Sequence, residues 1–185
     1  STSAGAPPAG GGPTAAVRGG NITFLNGACF GGPTMTVVNS GTIDANVGGR
    51  SITLGVPLNT AGGVLSGDGL VLNSTIDLGG GAWTFASGTL ALIPNATVEN
   101  GTVNLTGGAL AFPSPCNFGR LSNVTINGDW SVSNAGIRWN NVTLNGTLTA
   151  GGSTYVAFEG DQTLTGTIEN TSAGQVYLFP YSTGT

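Results

Sequence analysis

Short runs of alternating apolar and polar residues, separated by Gly and Asn, fill the chain from about residue 36 to about residue 180. The clearest is residues 141–158, NVTLNGTLTAGGSTYVAF, two runs broken at Asn-Gly and Gly-Gly. Period-two alternation points successive side chains to opposite faces, so each run predicts a short, half-buried strand. One signature recurs: Thr, an aliphatic residue, then Asp, Glu or Asn. It stands at Thr42-Ile43-Asp44, Thr75-Ile76-Asp77, Thr97-Val98-Glu99, Thr125-Ile126-Asn127, Thr143-Leu144-Asn145 and Thr167-Ile168-Glu169, at spacings of 33, 22, 28, 18 and 24 residues. A Gly- or Asn-rich turn follows each copy, then a second strand ending in a large apolar residue. These are SITL (51–54), AWTF (82–85), ALAF (109–112), GIRW (136–139), YVAF (155–158) and VYLF (176–179).

Two strand types in fixed order predict an all-β fold, a parallel β-helix (solenoid) of about six coils. Ile43, Ile76, Val98, Ile126, Leu144 and Ile168 are expected to form one inward stack, with the flanking Thr and Asp, Glu or Asn facing out. Surplus residues are expected to leave as loops at 57–62 and 113–119. Asn-Gly between alternating strands is also the strongest short-range hairpin signal. It occurs in ATVENGTVNLT, VTINGDWSV and VTLNGTLTA. The alternative fold is therefore an antiparallel β-sandwich or jelly roll.

Composition sharpens this. Gly is 34 of 185 residues and charged residues are only 6%, against a usual quarter or so. Thr, Val and aromatics favour pleated structure, and Gly and Asn favour turns. Residues 1–19 are a low-complexity Ala/Gly/Pro extension; residues 20–185 read as a single all-β domain that opens with a short strand at 21–25. No apolar run approaches the roughly 20 residues that span a bilayer. The start, STSAGAPP, has no Met, which suggests a processed end after removal of a signal peptide. The expected setting is extracellular or surface-exposed, on a cell or a virion.

Net charge is −4, and Arg18, Arg50, Arg120 and Arg138 are scattered along the chain, which argues against nucleic acid as a partner. There is no His, and two Cys cannot fill a tetrahedral shell, so neither metal nor cofactor is expected. Cys29 and Cys116 either form one disulfide or are separate buried thiols. Asp44, Asp77, Glu99 and Glu169 share the third signature position and would lie along one outward line, as a solvated polar ladder or a cation site. Asp129 with Arg138, or Glu159 with Asp161, could be cast as catalytic pairs, but turn and rim roles suit them equally. With no convergent titratable cluster, the chain reads as non-enzymatic.

Nine Asn-x-Ser/Thr sites occur against about four by chance: Asn21, Asn73, Asn95, Asn100, Asn104, Asn123, Asn141, Asn145 and Asn170. Alternation places Asn and Thr two apart on one face, which accounts for part of the excess; glycosylation there would sheathe a surface with little charge. Trp83, Trp130 and Trp139, with Tyr155, Tyr177 and Tyr181, suit either a sugar-stacking platform or the core and a subunit contact.

The stretches LSGDGLVLNSTIDLGGGAWTF and NATVENGTVNLTGGALAF carry a wider likeness. Over roughly residues 36–180 the chain resembles exported parallel β-helix proteins: autotransporter passenger regions, haemagglutinin-like adhesins and viral fibre domains. The resemblance implies a fold and an exported setting and transfers no functional residue. The expected function is a structural subunit of an extracellular or surface fibre or sheath. It would self-assemble through the N-terminal extension (Pro7, Pro8, Val17) and uncapped terminal strands (Tyr177, Phe179, Tyr181). The alternative is a surface adhesin that binds glycans.

Overall fold

A computed structural model describes residues 22–25, 37–39, 41–45, 52–55, 57–59, 63–116, 118–171 and 174–182. Pro7, Pro8, Val17, Asn21 and Cys29 lie outside the described residues. The described residues form seventeen strands. In order they are β1 (Ile22–Leu25), β2 (Val37–Val38), β3 (Thr42–Asp44), β4 (Ile52–Gly55), β5 (Leu58–Asn59), β6 (Val64–Leu72), β7 (Thr75–Asp77), β8 (Ala82–Leu92) and β9 (Thr97–Leu105). There follow β10 (Gly108–Ala111), β11 (Gly119–Asn127), β12 (Trp130–Ser133), β13 (Gly136–Asn145), β14 (Thr147–Gly151), β15 (Ser153–Phe158), β16 (Thr167–Asn170) and β17 (Gln175–Pro180). None of the described residues forms a helix long and apolar enough to cross a membrane.

The strands pair in parallel, and the chain winds as a β-solenoid of about six turns. Three walls repeat in each turn. On the first, Val37, Leu58, Ile76, Val98, Leu121, Trp139, Phe158 and Pro180 follow one another in register. On the second, Trp83, Val103, Ile126 and Leu144 align, as do Ile43, Leu65, Phe85 and Leu105. On the third, Ile52, Leu70, Leu90 and Leu110 align, and β12, β14 and β16 continue that wall with Trp130, Leu148 and Ile168. From Leu58 to Pro180 the first-wall steps are 18, 22, 23, 18, 19 and 22 residues.

The solenoid expectation holds, and the antiparallel alternative falls. Its hairpin signals have another use. Asn100-Gly101 bends β9 from the first wall to the second, while Asn127-Gly128 and Asn145-Gly146 carry the chain from the second wall to the third. A left-handed residue turns a strand through a corner without reversing it. The expected register needs correction. The six signature residues are buried or half-buried, but they do not form one stack. Ile76 and Val98 meet on the first wall, Ile126 and Leu144 on the second, and Ile168 lies on the third. The copies spaced 22 and 18 residues apart are the ones one turn apart; the steps of 28 and 24 are one turn plus one wall, and the step of 33 is one turn plus two walls. The outward line of Asp44, Asp77, Glu99 and Glu169 therefore does not form, and only Asp77 and Glu99 are neighbours. The loop expected at 57–62 does not begin at its first residues, since Leu58 and Asn59 form β5 and Leu58 is fully buried; residues 60–62 lie outside the described residues.

Trp83, Trp130 and Trp139 line the core with Phe85 and Phe112. The three indole nitrogens have no hydrogen-bond partner. Leaving each unpaired costs about 1–3 kcal/mol. Burying some 200 Å² of ring contributes about 5 kcal/mol, so burial wins.

The corner between the first and second walls is built from asparagine. Asn100, Asn123 and Asn141 have φ of 59°, 53° and 52°, a conformation that Asn tolerates better than most residues. Their side chains stack from turn to turn. Asn100 Nδ2 donates to Asp77 Oδ1 at 3.2 Å, Asn123 Nδ2 to Asn100 Oδ1 at 3.3 Å, and Asn141 Nδ2 to Asn123 Oδ1 at 3.1 Å. A second ladder runs beside it on the second wall, Asn127 to Asn104 at 2.8 Å and Asn145 to Asn127 at 3.0 Å. At the next corner Gly128 has φ 111°, and a Cβ there would sit 2.6 Å from the Leu105 carbonyl oxygen.

Asn123 is the test of the ladder. Asn123→Ala is expected to cost about 2 kcal/mol in urea unfolding, from left-handed backbone strain plus two lost amide contacts. Asn123→Gly keeps the backbone accessible and should cost about half as much. Equal losses would show that the amide stack, not the corner backbone, carries the effect.

Candidate functional site

The outer surface of the first wall gathers the described basic residues. Arg120 in β11 and Arg138 in β13 are register partners, so two cations rise from backbones one turn apart. At that spacing, about 4.8 Å, they would repel by about 3 kcal/mol at an effective dielectric of about 20. Glu159, just past β15, lies against both. Its Oε2 accepts from Arg120 Nε at 2.8 Å and pairs with Arg120 Nη2 at 2.7 Å. Its Oε1 is 3.4 Å from Arg138 Nε, a looser pairing without hydrogen-bond geometry. Asn140 Nδ2 adds a donor to Oε2 at 3.2 Å. The backbone places Glu159 there: its N–H donates to the Trp139 carbonyl at 2.7 Å, continuing the β13–β15 ladder.

Burial raises the Glu159 pKa, but the hydrogen bonds from Arg120 and Asn140 and the charges of Arg120 and Arg138 outweigh it, so the carboxyl sits below its ordinary value of 4.5. Tyr181 closes the site from the far side. Its ring lies 5.2 Å from the Arg138 guanidinium carbon, and its hydroxyl accepts from Arg138 Nη1 at 3.4 Å. These groups, with Thr97, Gly160 and Ser182, line an open groove of about 650 Å³.

An aromatic patch adjoins the groove. Tyr155 and Tyr177 stack at 4.6 Å with planes 9° apart, and Phe179 meets Tyr155 and Phe118 edge-on at 6.4 and 6.2 Å. Phe118 also packs on Tyr181 at 6.1 Å. The tyrosines of the expected platform are thus on the outer wall, while its tryptophans are in the core. Of the expected catalytic pairs, neither has an ion-pair or hydrogen-bond contact among those described. Asp129 Oδ1 accepts from the Thr147 backbone at 2.7 Å, a turn role, and Asp161 is exposed.

The sequon asparagines fall into three settings. Asn100, Asn123 and Asn141 form the corner ladder, and Asn104 and Asn145 the second ladder. Asn73 and Asn95 are exposed between strands, and Asn170 ends β16 with its amide on the Gly174 carbonyl at 3.0 Å. Rung-to-rung stacking gives five of them a structural reason to be asparagine. Cys116 is an exposed thiol in the loop between β10 and β11, not a buried one.

Sequence reading missed the arginine stack, although a signal exists. Arg-x-x-Asn-Val-Thr occurs at 120–125 and again at 138–143, one turn apart. The Glu159 contact has no such signal, since it joins residues 39 apart in sequence through a loop.

Glu159→Gln should lower stability at neutral pH by about 1–3 kcal/mol, because two stacked cations lose their only carboxylate partner among the described residues. The lowered pKa sets the sign with pH. The carboxylate's contribution is complete above about pH 4.5 and is lost as pH falls through its depressed folded value. Chemical denaturation from pH 7 to pH 2 should show that acid loss in the wild type and a shallower one in Glu159→Gln. Parallel curves would show that Glu159 is not an important part of it.

No family model, curated protein or solved structure matches the chain.

Proposed function

We propose that this chain is a non-enzymatic structural subunit of an extracellular or surface fibre or sheath, assembling through the outer edge of its last described strand. The observation that supports this most directly is the state of β17. Its inner edge pairs with β15, and no strand pairs with its outer edge among the described residues. Leu178 continues the inward row of Ile137 and Val156, yet it is 50% exposed because no further rung covers it among the described residues. Leu164 is 47% exposed, and together with Phe158, Leu178 and Pro180 it lines an apolar groove of about 340 Å³. An open strand edge with an uncovered apolar row is a template for another strand. A second copy stacked there would continue the walls and extend the Tyr155–Tyr177 stack. Repeated head-to-tail contact of this kind gives a filament. Pro180 blunts one end of the edge. Tyr181 N–H points inward, to the Phe158 carbonyl at 2.7 Å, so the missing N–H of Pro180 faces outward.

A second reading, a glycan-binding surface adhesin, is favoured by the polar groove of Arg120, Arg138 and Tyr181.

Negative-stain electron microscopy with analytical ultracentrifugation tests assembly. The chain should form elongated particles, and Leu178→Lys should disperse them with little change in thermal midpoint, because a charge on an exposed edge blocks strand addition. Deleting residues 1–19 separates the contribution of the extension from that of β17. Dispersed single chains in all samples would remove the fibre reading.

A further inference from the structure

We infer that the Arg120–Arg138–Tyr181 groove is a binding site for a monoanionic, hydroxyl-rich ligand, a sugar acid such as the uronic acid unit of an acidic glycan. This goes beyond assembly through β17 and does not depend on it. It rests on the glycan-binding reading and gives it a ligand class.

The charge balance comes first. The chain is net acidic at −4, yet both described arginines converge on one groove. Glu159 neutralises one of them. It binds Arg120 closely, at 2.7 and 2.8 Å, and reaches Arg138 only at 3.4 Å. The site keeps a surplus of about one positive charge, centred on Arg138. That matches a carboxylate, with its single charge and planar pair of oxygens suited to a guanidinium fork, better than a doubly charged phosphate.

The walls come second. Tyr181 offers a ring beside Arg138, and the polar residues Thr97 and Ser182 complete the lining. A polar groove around a single aromatic ring suits a hydroxylated ring rather than an apolar ligand. Its volume of about 650 Å³ falls within the usual range for small-ligand sites, about 300–1,000 Å³. The site is also pre-formed. Arg120 and Arg138 are held by strand register, and their side chains are only 25% and 17% exposed, so little rotamer freedom is left to lose on binding.

Isothermal titration calorimetry on the full wild-type chain tests this with galacturonic acid, a galacturonate trisaccharide, and galactose with its neutral trisaccharide. The acidic probes should bind at least about tenfold tighter than the neutral ones, since a charge-assisted contact distinguishes them. Binding of the monosaccharide would mark a free sugar acid as the ligand. Binding of the trisaccharide alone would mark a polymer, and either result supports the site. Arg138→Gln should weaken acidic binding by about tenfold or more, and Glu159→Gln should strengthen it by removing the internal competitor. Circular dichroism checks that each variant is folded; if one is not, the wild-type comparison of acidic and neutral probes decides. Equal binding of acidic and neutral sugars would overturn the inference while leaving glycan binding intact. No binding of any probe would overturn both.

Discussion

In-register parallel stacking is the constraint on which the rest of this structure depends. Each residue on a wall meets its counterpart one turn away, at about 4.8 Å, so like groups are brought onto like. Where the side chain points inward, the result is a continuous apolar row such as Ile76, Val98, Leu121 and Trp139. At a corner, every turn must hold the same unusual backbone, which Asn100, Asn123 and Asn141 do with φ near +55°. Asparagine suits such a position twice over. It accepts left-handed geometry, and its amide is both donor and acceptor, so a column of identical residues satisfies itself.

The same rule that makes an asparagine column self-consistent makes an arginine column costly. Arg120 on Arg138 exists because the adjacent corner fixes the register of β11 and β13, and a carboxylate from outside the stack is needed to offset it. Glu159 does this from the loop after β15, and Tyr181 covers the remaining guanidinium face. The polar groove is thus a direct product of the stacking. The exposed edge of β17 follows from it too, since no further rung stacks on that strand among the described residues. Leu178 is an inward core residue by register and an exposed one by position.

Much of the fold was legible in the sequence, because alternation and burial are local properties. The aliphatic residue of each signature copy is indeed turned away from solvent. The register was not legible from that signature. Thr-aliphatic-Asp/Glu/Asn marks an outward–inward–outward strand segment on any of the three walls, so its copies do not lie above one another. A longer unit, Arg-x-x-Asn-Val-Thr-x-Asn-Gly at 120–128 and 138–146, does mark a single turn, because it spans one corner and fixes the wall. Asn-Gly misleads for a related reason: it reports left-handed backbone, which both hairpins and solenoid corners use. Glu159 could not be found, since its partners are set by loop path and not by strand pattern.

The measurement that bears most directly on the central proposal, that the exposed edge of β17 is where the chain meets its own copy, is hydrogen–deuterium exchange over β17 in dispersed and assembled material. The outward amides of Val176 and Leu178 should exchange freely in the dispersed chain and become protected on assembly. The inward amides of β17, bonded to β15, should be protected in both. Assembled particles in which the Val176 and Leu178 amides still exchange at the dispersed rate would contradict the account.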